Sequence, residues 1–211
     1  MSKFGIIVNI DRCVGCHACA IACKEENQVA PGIFYERIER QENFEERVVN
    51  YFRASCQHCG NPACMKVCPV KAIHRGPGGE VLVDDAKCIG CRMCAGACPY
   101  GAPKFNDKGV VNYFGDKAPL AVRDLEPWQR RKPGRAEHCT LCTHRTSKGR
   151  VPACVEACGI GAMTLVDYEN PTPGMKKLID RAKPMNVAAG TEPKVRYIAS
   201  HMDVERYPLK V

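Results

Sequence analysis

Sixteen cysteines stand in this chain, and every one of them falls into a group of four. The groups are Cys13, Cys16, Cys19 and Cys23; Cys56, Cys59, Cys64 and Cys68; Cys88, Cys91, Cys94 and Cys98; and Cys139, Cys142, Cys154 and Cys158. Three thiolates at x2, x2 spacing wrap one corner of a cubane, and a fourth after x3 points onward to a second centre. The spacing predicts four [4Fe-4S] clusters, which are the cofactors expected of the chain.

Two other uses of cysteine compete with this one. A disulfide framework belongs to small secreted chains that cannot build a core, whereas this chain has 211 residues and opens MSKFGIIVNIDRC with no secretory h-region. Structural zinc is the stronger rival, because paired CxxC motifs are its usual signature. Zinc sites normally separate two CxxC knuckles by a longer loop, but CVGCHACAIAC and CIGCRMCAGACP carry a cysteine triple, and proline follows both Cys68 and Cys98. The fourth group alone, CTLCTHRTSKGRVPACVEAC, suits either metal.

Aromatic residues make up only 7% of the chain, so a hydrophobic core would be thin and metal binding must supply much of the cohesion. The formal charge of +8 counts every cysteine as neutral. A cubane with four thiolate ligands carries about two negative charges when oxidised, so four clusters bring the holoprotein near neutrality. The basic residues then read as cluster compensation, and no aromatic-basic repeat points to nucleic acid. No span of about 18 apolar residues is present, so a soluble chain without direct membrane insertion is expected. Cluster insertion is cytoplasmic. Work at the outer face of the cytoplasmic membrane, the periplasmic side, requires co-export with a partner bearing a twin-arginine signal; the alternative location is the cytoplasm.

The pattern predicts an α+β fold of two bacterial two-cluster ferredoxin-like lobes, one nested in the other. Strand-like runs are Ile6 to Ile10, Val81 to Val83 and Ala162 to Val166, each beside a turn-rich cysteine loop that runs into a short helix. The inner lobe spans 52–106 with groups two and three, joined by a turn through Gly76, Pro77, Gly78 and Gly79. The outer lobe combines 1–30 with 136–168. Residues 31–51 and 107–135 are insertions; in the first, IFYERIER and ERVVNYF predict a two-strand excursion, and the second carries Trp128 and the basic run QRRKPGR. The tail 169–211 is expected to pack on the lobes or a partner.

If the cross-ligation logic of two-cluster ferredoxins holds, Cys13, Cys16, Cys19 and Cys158 bind one cluster, and Cys139, Cys142, Cys154 and Cys23 a second. Cys56, Cys59, Cys64 and Cys98 then bind a third, and Cys88, Cys91, Cys94 and Cys68 the fourth. His17, His58 and His144 lie beside ligands and read as ordinary loop residues, with Tyr100 and Lys104 as weak candidates for tuning a cluster.

The CxxCxxCxxxC opening, CxxCxxxxCxxxCP, CIGCRMCAGACPYGAPKF, GRVPACVEAC and the late run GTEPKVRYI together resemble the iron-sulfur subunits of dimethyl sulfoxide reductase-type molybdopterin enzymes. The likeness covers nearly the whole chain apart from the 107–138 insertion, which is longer than the link this family often has there and is a departure from its pattern. It implies a non-catalytic subunit of an oxidoreductase complex that relays electrons between a large molybdopterin (Mo/W) catalytic subunit and a membrane quinol-oxidising subunit or soluble donor, with all sixteen cysteines as ligands. A free polyferredoxin and a zinc-binding interaction module are the alternatives. One departure is Gly159, which follows Cys158 where proline follows Cys68 and Cys98, so a different exit turn is expected there. No GxSxG, HExxH, P-loop or Rossmann glycine pattern is present.

Overall fold

The structure is a computed structural model that describes residues 3–107 and 132–208. Trp128 and most of the expected 107–135 insertion lie outside the described residues. In chain order the elements are β1 (Phe4–Asn9), α1 (Ala18–Glu26), β2 (Glu36–Asn43), β3 (Val48–Ser55), α2 (Ala63–Lys66), β4 (Ile73–Arg75) and β5 (Val81–Val83). They continue with α3 (Met93–Ala97), β6 (Lys104–Phe105), β7 (Ala136–Glu137), α4 (Thr143–Thr146), α5 (Ala153–Glu156), β8 (Met163–Asp167), α6 (Pro173–Arg181), β9 (Lys183–Pro184) and β10 (Arg196–Ile198).

A four-stranded sheet in the order β8-β1-β10-β9 organises the chain. The β1 sequence FGIIVN is apolar and β-branched, and its four middle residues are buried on both faces, as an inner strand requires. Strand β8 runs antiparallel to it, with Ile6 opposite Leu165, and β10 runs parallel, with Val8 opposite Tyr197. Ile10 is not part of the strand; it opens a single 3-10 turn, Ile10–Arg12, that delivers the chain to Cys13.

The charged stretch before the second cysteine group forms the expected excursion. Strands β2 and β3 pair antiparallel over eight positions, from Glu36 opposite Ser55 to Asn43 opposite Val48. Strands β4 and β5 pair antiparallel across the Gly76–Gly79 turn, closed by the Gly79 N–H donating to the Gly76 carbonyl at 2.9 Å. The short helices associate by pairs: α1 packs on α5, and α2 packs on α3.

The segment after Asp167 does more than lie along the surface. Helix α6 is capped by Thr172, whose Oγ1 accepts from the Met175 N–H at 3.3 Å, with Pro173 in its first turn. Its apolar stripe of Met175, Leu178 and Ile179 covers Ile7, Val166 and Ile198 on one face of the sheet. Strand β10 then enters the sheet, and residues 191–194 run beside the second cysteine loop: the Gly60 and Asn61 N–H groups donate to the Glu192 and Thr191 carbonyls at 2.8 and 3.0 Å, and the Lys194 N–H donates to the Gln57 carbonyl at 2.9 Å. A three-residue strand whose partner lies nearly two hundred residues upstream leaves no periodic signal in its own sequence.

Tyr197 shows how much the tail carries. It is fully buried, edge-on to Phe52 at 6.1 Å, and its hydroxyl donates to the Arg53 carbonyl at 3.2 Å. Tyr197→Ala is expected to cost about 3–5 kcal/mol, the range for deleting a buried aromatic ring. A lowered guanidinium midpoint followed by circular dichroism checks this, and an unchanged midpoint contradicts the placement of β10.

Candidate metal centre

All four cysteine loops use one backbone device. The residue before the second cysteine has positive φ in each: Gly15 at 71°, His58 at 44°, Gly90 at 74° and Leu141 at 54°. This conformation turns successive N–H groups to one side and makes a concave surface for negative charge. The third residue's amide thereby reaches the first sulfur, from Gly15 to Cys13, from His58 to Cys56, and from Leu141 to Cys139 Sγ at 3.4 Å. Gly15 is held by space as well as by φ, because a Cβ there would stand 2.6 Å from the Tyr51 ring.

The exits also repeat. After the last cysteine of groups two, three and four, the N–H three residues on donates to that cysteine's carbonyl: Lys71 to Cys68 at 3.2 Å, Gly101 to Cys98 at 3.1 Å, and Gly161 to Cys158 at 2.9 Å. The next amide donates to sulfur, from Ala72 to Cys68 Sγ and from Ala162 to Cys158 Sγ, both at 3.2 Å. The different turn expected at Gly159 is therefore not found. Proline and glycine occupy the same turn because the position needs no N–H for these bonds; Gly159 merely adds one to the Ala157 carbonyl at 3.0 Å.

The thiols are brought together across the sequence groups. Cys13, Cys16, Cys19 and Cys158 line one cavity with Val8, Ile160 and Met163. Cys23, the last of group one, has the group-four sulfurs Cys139, Cys154 and Cys142 as its neighbouring thiols. Cys98 of group three lies beside Cys59 and Cys64 of group two, and Cys56 beside Cys59 and Cys64. Cys94 neighbours Cys88 and Cys91, and Cys68 packs into the same apolar cluster as Cys88 and Cys94. Among the described residues no three His, Cys, Asp or Glu side chains converge closely enough to hold a single ion.

The donor set suits an iron-sulfur cluster. Besides the amides named above, the Ala136 N–H lies 3.4 Å from Cys88 Sγ, Asn27 Nδ2 3.6 Å from Cys23 Sγ, and Arg53 Nη2 3.7 Å from Cys139 Sγ. Such N–H bonds favour thiolate over thiol. Burial acts the other way and pushes the thiols up, Cys19, Cys64 and Cys142 to about 12 and Cys59 and Cys94 to about 11. Burial thus disfavours the bare thiolate, and a bound cation would offset that, as iron does on ligation. A cluster held here would supply one-electron redox chemistry, and the surrounding N–H groups, charges and burial would set its potential.

Several neighbours matter in ways the sequence does not announce. Arg53 on β3 and Glu36 on β2 form a fully buried ion pair among the sulfurs. Glu36 lies beside Cys19 and Cys154. For Arg53 burial alone would favour the neutral form, but Glu36 and the Cys154 and Cys139 sulfurs outweigh it, and the guanidinium stays charged. His58 and His138 are buried with their rings 6.3 Å apart. His58 is no ordinary loop residue: its Nδ1 accepts from the Val81 N–H at 3.2 Å, and burial holds its pKa well below the usual histidine value. His144 is anchored 2.7 Å from Glu26, while His17 lines the first cavity from an exposed αL position. Tyr100 is buried with its hydroxyl 2.5 Å from Thr191, and Lys104 sits half-buried in β6. Only a charged residue in the strand entering Cys56 hinted at Arg53, and an alternating hairpin would normally send that charge to solvent.

The family of the 4Fe-4S dicluster domain matches residues 47–113 and 124–168, and a second family of that description matches 12–72. The arsenate respiratory reductase iron-sulfur subunit of Shewanella sp. (strain ANA-3) is 34% identical over 227 residues, covering 94% of this chain and 97% of the relative. The chain belongs to the iron-sulfur subunits of dimethyl sulfoxide reductase-type molybdopterin enzymes. Two further relatives are similar to it. A putative dimethyl sulfoxide reductase iron-sulfur subunit of Halobacterium salinarum is 32% identical over 98% of this chain and 82% of the relative, and a subunit of the anaerobic dimethyl sulfoxide reductase of Escherichia coli K12 is 34% identical over 77% and 72%. This iron-sulfur subunit is an electron-transfer protein with 4Fe-4S domains.

Gly15→Ala in this subunit is expected to strain the loop between Cys13 and Cys16 and to lower iron per chain. Gly174→Ala in α6, where a Cβ meets nothing within 4 Å, is the control. Equal iron in both variants contradicts the tight packing of Gly15 on Tyr51.

Proposed function

We propose that the chain carries four [4Fe-4S] clusters in a row and passes single electrons along them to or from a molybdopterin catalytic subunit, making and breaking no substrate bond itself. The ligand sets are Cys13, Cys16, Cys19 and Cys158; Cys23, Cys139, Cys142 and Cys154; Cys56, Cys59, Cys64 and Cys98; and Cys68, Cys88, Cys91 and Cys94. The observation that carries the reading is the exchange of the last cysteine between groups: Cys23 among group-four sulfurs and Cys98 among group-two sulfurs. The same exchange, with α1 on α5 and α2 on α3, supports one two-cluster lobe (52–106) nested within another (1–30 with 136–168).

The order of the row follows from which groups share neighbours. Glu36 and Arg53 lie between the first and second sets, Cys139 neighbours Cys56 between the second and third, and Cys94 neighbours Cys64 between the third and fourth. Cys16 and Cys91 are the two exposed cysteines, one in each end set. Exposed apolar residues flank each in sequence, Val14 and Ile21 at one end and Ile89 and Met93 at the other. These ends are where electrons enter and leave, with partner surfaces pressed close enough to exclude water.

The relatives take their names from reductases of arsenate, dimethyl sulfoxide, selenate and tetrathionate. Such a spread of acceptors on similar chains argues that the catalytic partner selects the substrate. A partner at the other end, membrane-bound or soluble, completes the relay. No helix among the described residues is long and apolar enough to cross a membrane.

Anaerobic purification is expected to yield about 16 iron and 16 sulfide per chain together with a large molybdopterin subunit. A well-folded, iron-free chain, or one containing zinc, overturns the reading. Cys98→Ala is expected to disturb the cluster of Cys56, Cys59 and Cys64 more than that of Cys88, Cys91 and Cys94; electron paramagnetic resonance showing loss of only the latter refutes the exchanged ligation.

A further inference from the structure

The guanidinium of Arg53 has three nitrogens with three different fates. Nε donates to Glu36 Oε2, Nη2 reaches Cys139 Sγ at 3.7 Å, and Nη1 has no partner among the described residues although the side chain is buried. The same side chain lines the cavity of Cys13, Cys16, Cys19 and Cys158. Arg53 thus belongs to two cysteine sets at once, touching a sulfur of one and facing the cavity of the other. Glu36 fixes which way the planar fork points, and Tyr197 anchors its backbone by donating to the Arg53 carbonyl at 3.2 Å.

An arginine buried with one edge unpartnered is costly unless an acceptor meets that edge. Within the cavity, sulfur is the acceptor that the four cysteines would gather. N–H donors and positive charge near a cluster favour its reduced, more negative state and raise its potential.

We propose that Arg53 is a shared hydrogen-bond donor to the two neighbouring clusters of the outer lobe, and that it raises the reduction potential of both, with Glu36 as the positioning residue that holds its fork between them. The inference rests on the relay reading above. A single fork joining both centres keeps their potentials moving together, so that neither becomes a trap for the electron passing between them. Lysine cannot replace it, since one ammonium on a flexible stem does not present separate planar edges to two acceptors and a carboxylate.

Potentiometric titration by electron paramagnetic resonance, on the holoprotein purified anaerobically in its native complex, tests the idea. Arg53→Gln is expected to weaken reduction of both outer-lobe clusters at least tenfold, which is 59 mV for a one-electron couple, while leaving the clusters of Cys56 and of Cys88 within threefold. Arg53→Lys keeps the charge and protects the fold; it is expected to spare one outer-lobe cluster and shift the other. Wild-type potentials at all four centres in a fully iron-loaded variant overturn the proposal while leaving the relay intact, and an equal shift at all four overturns it too. Where a variant loses iron, the wild-type protein decides: 15N-guanidinium arginine labelling is expected to give nitrogen couplings on both outer-lobe clusters, and their absence from either ends the proposal. Wild-type protein without iron would instead remove the relay reading itself.

Discussion

A thiolate taken out of water costs several kcal/mol unless a cation or a set of donors meets it, and nine of the sixteen cysteines in this chain are buried. That constraint shapes the backbone. Four loops place a left-handed residue before the second cysteine, three exits bend an amide back toward the last one, and side chains such as Asn27 and Arg53 complete the donor set. Three of the four apolar clusters among the described residues contain cysteine, with Cys19, Cys59 and Cys154 packed among Ile6, Phe52 and Tyr197. Sulfur and hydrocarbon form one core here. Metal binding and folding would then be a single equilibrium, because the same sulfurs would fill both roles.

The buried Glu36–Arg53 pair sharpens the point. Replacing a buried ion pair with apolar residues is often neutral or stabilising, so stability alone is a poor reason to keep one. Its neighbours supply another reason. The pair joins the β2–β3 hairpin to sulfurs of groups one and four, and it sets one fixed positive and one fixed negative charge where a bound cluster would change its own charge by one unit on reduction. Hydrogen bonds to sulfur and local charge are among the means by which a protein sets a cluster's potential. The hairpin therefore does more than fill an insertion between groups one and two: it brings a charged pair to sulfurs of groups one and four.

Local features of the chain were legible because local sequence makes them. FGIIVN, VLV and MTLVD carry β-branched apolar runs beside turns, and ERIERQEN with VVNYFRAS carries the two arms of a hairpin. The cysteine groups show in their spacing. What stayed hidden depends on distant partners. Strand β10 is short and becomes a strand only against β1; Arg53 sits where alternation would send a charge outward; and His138 is ordinary until His58 is seen beside it. The exit at Gly159 misled for a local reason. Proline after the last cysteine suggested a required ring, whereas the turn uses only the amides that follow.

The first and third cysteine groups open on one loop used twice. Cys13-Val14-Gly15-Cys16-His17 and Cys88-Ile89-Gly90-Cys91-Arg92 place an apolar residue, a left-handed glycine, an exposed cysteine and a second left-handed residue in the same order. The shared apolar collar gives both loops a surface that a partner could dry, and drying would lower the energy needed to reorganise water if an electron crossed there. The fourth residue of the repeat makes the ends different. Arg92 pairs with Asp107 and stacks its guanidinium over the Phe105 ring at 5.0 Å, so that loop carries an ordered ion pair at its rim. His17 lies instead against the cavity of the opposite end. Electrostatic complementarity governs encounter and orientation more than it governs final affinity. On the relay proposed above, two ends alike in apolar contact and unlike in the rim side chain, histidine at one and a paired arginine at the other, would present it to two different partners while discouraging each from docking at the wrong end.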